Sequence, residues 1–68
     1  MNYTATVASN VRAHMARSAY RIGDLAEKLG KTPNTAGLKY NGTTQITVEE
    51  IGTIAEWLNV PVAEFFRK

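Results

Sequence analysis

The chain must change direction between Leu29 and Pro33, and that short link constrains its fold more than any other feature. Ile22, Leu25, Ala26 and Leu29 stand at i, i+3, i+4 and i+7, the spacing of one apolar face on a helix. Gly30 follows at once and suits a helix end, because glycine enters the left-handed region without a Cβ penalty. Thr32 then reads as an N-cap, and Pro33 fits the first helical position, where its missing N–H is not needed. This next helix ends near Tyr40, before the turn dipeptide Asn41-Gly42. Only Gly30 and Lys31 separate the first helix from the cap of the second, so the two must cross at a steep angle.

The rest of the chain reads as helices packed around that pair. Val7, Val11 and Met15 recur every four residues, flanked by Ala8, Ala13, Ala16 and Ala19. They predict a helix over about 6–18, with Thr4 or Thr6 as its cap. Thr47-Val48-Glu49-Glu50 has the form of a capping box and opens a helix carrying Ile51, Ile54, Ala55 and Leu58 on one face, closed by Asn59. Val60-Pro61 starts a last short helix in which Val62, Phe65 and Phe66 are available for burial. Residues 42–47 have no second run to pair with and read as a loop anchored by Ile46. The expectation is a compact, all-α, five-helix single domain over residues 1–68, without repeats or linkers.

Composition narrows the function. A domain of this length buries only about 60% of its unfolded surface, so its core must be efficient. There is no cysteine to form disulfides or thiolate metal sites, and His14 is the one histidine, so neither metal nor cofactor is expected. No apolar run approaches the roughly 18 residues of a membrane span. Met1-Asn2-Tyr3-Thr4 lacks the start of a signal peptide, so a cytoplasmic protein is expected. An enzyme is not. The close carboxylates Asp24 with Glu27 and Glu49 with Glu50 each sit where a helix start explains them, and no base lies near a nucleophile. So short a chain also leaves little room for a small-molecule substrate. Residues 1–41 hold six cations against two anions, and residues 42–68 two cations against four anions. A basic front and an acidic back point to a polyanionic partner.

The segment IGDLAEKLGKTPNTAGLKYNG, residues 22–42, resembles the helix-turn-helix of the lambda-repressor/Cro-like superfamily, and the resemblance extends over nearly the whole chain. Leu25-Ala26-Glu27-Lys28-Leu29-Gly30 matches the family's second helix and turn, and Asn41-Gly42 the end of its recognition helix. Residues 47–51 and 54–60 resemble the fourth helix and its exit, and Val62-Ala63-Glu64-Phe65-Phe66 the closing helix. The resemblance implies a phage Cro-type repressor, a transcriptional regulator that reads double-stranded DNA with the helix at about 33–40 in the major groove. It places Thr32, Pro33, Asn34, Thr35, Gly37 and Leu38 at base edges, with Asn34 suited to adenine and Leu38 to a thymine methyl group. Arg21, Lys31, Lys39 and Asn41 fall where phosphates are contacted, and Arg12 and Arg17 add longer-range attraction.

The chain departs from the family's pattern in several places. Ile22 stands where a phosphate-binding glutamine is frequent, Lys31 where an apolar residue is frequent, and Ala36 where a bulky branched one fills the core. Gly37 weakens its helix by roughly 0.5–1 kcal/mol relative to alanine. No arginine stands on the reading face. Leu38 and Lys39 would exchange roles on a one-residue shift, leaving Tyr40 to pack inward and Lys39 to lay its stem along the surface. His14 reads as a partly buried or surface residue. Trp57 reads as partial core or as a partner's anchor, and Phe65-Phe66 as a homodimer contact or a cover for the base of the first helix. A monomer also remains open. The rival function is a protein-interaction module on the same fold, an antirepressor or adaptor. Non-specific or RNA binding is a third reading.

Overall fold

Apolar residues at helical spacing produce four α-helices: α1 (Thr4–Arg17), α2 (Ile22–Leu29), α3 (Pro33–Tyr40) and α4 (Val48–Leu58). A 3-10 helix, Val62–Phe66, follows them. The structure, a computed structural model, describes residues 3–68; Met1 and Asn2, part of the signal-peptide expectation, lie outside them. There is no strand among the described residues, and residues 42–47 form a loop with Ile46 buried, as the lack of a pairing partner leads one to expect. No helix is long and apolar enough to cross a membrane.

One cluster of buried side chains holds these elements together. Val7, Val11 and Met15 come from α1, Leu25 and Ala26 from α2, Ile51, Ile54 and Ala55 from α4, and Ala36, Ile46 and Phe65 complete it. The Cα radius of gyration is 10.5 Å, close to the roughly 11 Å of a compact chain this long. Helices of eight residues, as α2 and α3 are, are unstable alone and exist because this burial holds them. α2 packs most extensively against α3, and α1 reaches α3, α4 and the 3-10 helix.

α2, α3 and α4 start, and all four α-helices stop, on local hydrogen bonds. The Thr32 hydroxyl accepts from the Thr35 N–H at 3.2 Å and caps α3, with Pro33 at its first position. Thr47 and Glu50 form the expected capping box, with Glu50 N–H on Thr47 Oγ1 (3.2 Å) and Thr47 N–H on Glu50 Oε1 (2.9 Å). At α2 the Asp24 carboxylate accepts from the Arg21 N–H at 2.8 Å. The four C-termini share one device. A left-handed residue (Ala19, Gly30, Gly42 or Asn59) turns the chain. The N–H of the next residue then donates to the carbonyl five positions back: Tyr20 to Met15, Lys31 to Ala26, Thr43 to Leu38 and Val60 to Ala55.

Three expectations need correction. α1 begins at Thr4, so Thr4 and Thr6 lie inside the helix, and its N-cap is Tyr3, without a side-chain cap bond. The fifth element is a 3-10 helix rather than an α-helix: the Glu64 N–H reaches the Pro61 carbonyl, three residues back, and five residues leave little length for an i→i+4 ladder. Its Phe65 is fully buried, with the His14 ring edge-on at 5.6 Å, so Phe65 is core and not a dimer contact. The Asn10 amide fastens this end by donating to the Phe65 carbonyl (2.8 Å) and the Arg67 carbonyl (2.6 Å).

Ala19 is the one alanine in a left-handed conformation, with φ of 60°. A Cβ there costs roughly 1–2 kcal/mol. Ala19→Gly therefore raises stability by about 1 kcal/mol, read as a higher urea midpoint with an unchanged slope, whereas Gly30→Ala, at φ of 67°, lowers it.

Candidate nucleic-acid interface

α3 divides into an inner and an outer face. Ala36 is buried in the core, Lys39 is buried beside it, and Thr35 and Tyr40 are half-buried. Pro33, Asn34, Leu38 and Asn41 are exposed, and Gly37 lies between them in the helical order. At 3.6 residues per turn these five positions fall within an arc of roughly 140°, a continuous outward stripe. The structure thus brings together Pro33, Asn34, Gly37, Leu38 and Asn41, with exposed Lys31 just before the α3 cap. Arg21 is exposed at the start of α2. Thr32 and Thr35 are tied to each other: besides the cap, the Thr32 hydroxyl donates to Thr35 Oγ1 at 3.1 Å.

The register of α3 is settled in favour of Leu38 outward. Leu38 is 39% exposed and Lys39 only 6%. Lys39 was expected on DNA phosphate, or with its stem along the surface; it is neither. Its ammonium lies 2.6 Å from Glu50 Oε1 and 3.4 Å from the Gln45 carbonyl. The charge is satisfied inside the fold and cannot serve an external anion without breaking that pair. Arg12 is diverted in the same way. Its Nη1 donates to the Tyr40 carbonyl at 2.7 Å, and its guanidinium stands 5.8 Å from the centre of the Tyr40 ring. A cation on one of the last carbonyls of α3 complements the negative end of the helix. Arg17 Nη1 lies 3.3 Å from His14 Nδ1. The outer face of α3 therefore carries no charged side chain.

Glu50 serves two partners with one oxygen, the Lys39 ammonium and the Thr47 N–H. Burial pushes its carboxyl up, but the Lys39 hydrogen bond, the Thr47 backbone and the Lys39 charge together outweigh that and hold it below its ordinary value of 4.5. The carboxylate form is the one the fold stabilises, so this contribution is whole above about 4.5 and fades as pH falls through the lowered value.

The aromatic candidates separate. Trp57 is half-buried against the core and stacks on Tyr20 with ring centres 4.4 Å apart, closing the α1–α2 link onto α4. Phe66 stays exposed, edge-on to Tyr3 at 5.5 Å, and with Val48 these rings line a groove beside Val7, Ile46 and Ile51.

Lys39→Met leaves a largely buried carboxylate without its cation and costs about 3 kcal/mol, measured by urea unfolding at neutral pH. Glu50→Gln is destabilising at neutral pH and flattens the loss of stability in acid, because the wild-type contribution titrates there and the amide does not. An acid limb identical in the wild type and Glu50→Gln contradicts this account.

No protein-family model, no curated protein and no solved structure matches the chain.

Proposed function

We propose that this protein binds duplex DNA through the outer face of α3, as a sequence-specific transcriptional regulator of the Cro type. The observation that carries the reading is the stripe Pro33, Asn34, Gly37, Leu38 and Asn41. It stands on a short helix that follows α2 after three residues, the first of them the left-handed Gly30. Two of its side chains are amides, which pair with the major-groove edge of adenine, and its apolar members meet thymine methyl groups. Exposed Lys31 at the positive end of α3, and Arg21 at that of α2, supply phosphate contacts. The resemblance to lambda-repressor/Cro-like proteins supports the same reading, and pseudo-palindromic sites bound by two copies are its corollary. Phe66, Tyr3 and Val48 offer the exposed apolar surface for such pairing.

A second reading, a protein-interaction module on this fold, is favoured by one observation. Lys39 and Arg12 face inward, which removes two cations from the basic half of the chain.

Selection of bound duplexes from a random pool, at about physiological salt, separates the two. An enriched motif supports the regulator, and its symmetry reports one copy or two. No enrichment by folded protein supports the interaction module.

On the enriched duplex, Asn34→Ala costs about 1–3 kcal/mol and relaxes selection at one base pair. Lys31→Ala weakens all duplexes alike and lowers the slope of log affinity against log salt by about one. Equal losses on specific and random duplexes for Asn34→Ala would remove it from base reading.

A further inference from the structure

Three glycines stand inside α-helices: Gly23, Gly37 and Gly52. None has a left-handed backbone, and a Cβ built on each meets no atom within 4 Å beyond its chain neighbours and the backbone of its own helix. Neither packing nor conformation requires glycine at these positions, although glycine weakens a helix relative to alanine. Gly23 lies in the first turn of α2. Gly52 lies on the exposed side of α4, away from the α3 stripe, in an open groove where Glu49 and Glu56 outnumber Lys28. Gly37 is different. It lies midway along the outward stripe of α3, one turn from Pro33, Asn34 and Asn41, with Leu38 next to it in the chain at the edge of the stripe.

We infer that Gly37 is a recognition notch, in which the missing side chain admits the 5-methyl group of a thymine flanked by Leu38 and Pro33. The inference rests on the DNA-binding reading above and adds what the face selects. A missing Cβ leaves room of about one methyl group. The apolar landmark of the major groove is the thymine methyl, and the neighbouring amides suit the adenines of A·T pairs. Burial of Lys39 leaves the stripe without a cation, so the paired contact of Arg or Lys with guanine is absent from it. Close approach of a helix backbone to a ligand is a use that glycine alone allows.

The test sets a methyl group on the protein against one on the DNA. The motif enriched by the wild-type protein is prepared as a duplex and as copies with each thymine replaced in turn by deoxyuridine, which keeps base pairing and removes the 5-methyl group. Wild type, Gly37→Ala and Gly52→Ala are titrated against every copy.

At one thymine, deoxyuridine weakens wild-type binding about fourfold, the worth of one buried methyl-sized group. Gly37→Ala binds the parent duplex about tenfold more weakly, the scale of overpacking by one methyl group. It recovers on the copy lacking that same methyl. Gly52→Ala binds like the wild type throughout, and both alanine variants unfold at higher urea, which separates the binding loss from any folding defect. A wild type that enriches a motif but tolerates deoxyuridine at every position overturns the notch and leaves the DNA reading standing. A Gly37→Ala variant with the wild-type preference for thymine over deoxyuridine overturns it equally. A wild type that enriches no motif overturns the DNA reading and the notch with it.

Discussion

The orientation of α3 depends on the Lys39–Glu50 pair. α3 has eight residues and sends one apolar side chain, Ala36, fully into the core, so its apolar burial alone is small. Polar contacts add to the packing of Ala36 and Tyr40 in setting its rotation. Lys39 reaches across to α4 and the 42–47 loop, while Arg12 of α1 holds the Tyr40 carbonyl. Taking two charges from water is costly, and their attraction repays it only when the geometry is right. Such a pair adds little net stability but penalises every rotation of α3 that separates it. The rotation it favours turns Leu38, Asn34 and Asn41 outward. Glu50 extends the constraint, because the oxygen that receives Lys39 also closes the capping box of α4.

Much of the helix pattern is written locally, and those parts are legible in the residues. The bounds of α2, α3 and α4 follow from Gly30, Thr32-Pro33, Asn41-Gly42, the Thr47–Glu50 box and Asn59, each acting within a few positions of itself. The end of α1 is harder, because alanine carries no signal for the left-handed turn that Ala19 makes. Its start is harder still, since no side chain caps it. The last element carries the right burial pattern but too few residues to form α rather than 3-10 geometry.

The candidate site is legible in outline and not in its charges. A lysine is almost never buried unless paired, and the partner of Lys39 lies eleven residues away, that of Arg12 twenty-eight. Neither pairing has a local signature. One signal was present all the same: Lys39 is three residues after Ala36, and Glu50 four before Ile54. Opposite charges that both fall on inward stripes point to each other. That geometry also decides between Leu38 and Lys39 as the outward residue, which periodicity alone leaves open.

Inward pairing changes what the basic half of the chain can do. Of its six cations, Lys39 and Arg12 hold the fold, which leaves Arg17 exposed beside His14 on α1, and Arg21, Lys28 and Lys31 on the surface of α2 and the α2–α3 link. Each phosphate neutralised changes the salt slope by about 0.9. On the proposed reading, two or three such contacts give one chain a slope of about −2 to −3, a shallow dependence. Affinity for a chosen site must then come from the uncharged stripe of α3, or from a second copy that doubles the phosphate contacts. The division of labour is chemical. On the same reading, cations at the helix starts would attract any duplex, whereas the amides, Leu38 and the gap at Gly37 would respond only to the base edges in front of them. A face without charge cannot hold the wrong sequence by electrostatics alone, so on this reading weak attraction and strict selection would both follow from the burial of Lys39.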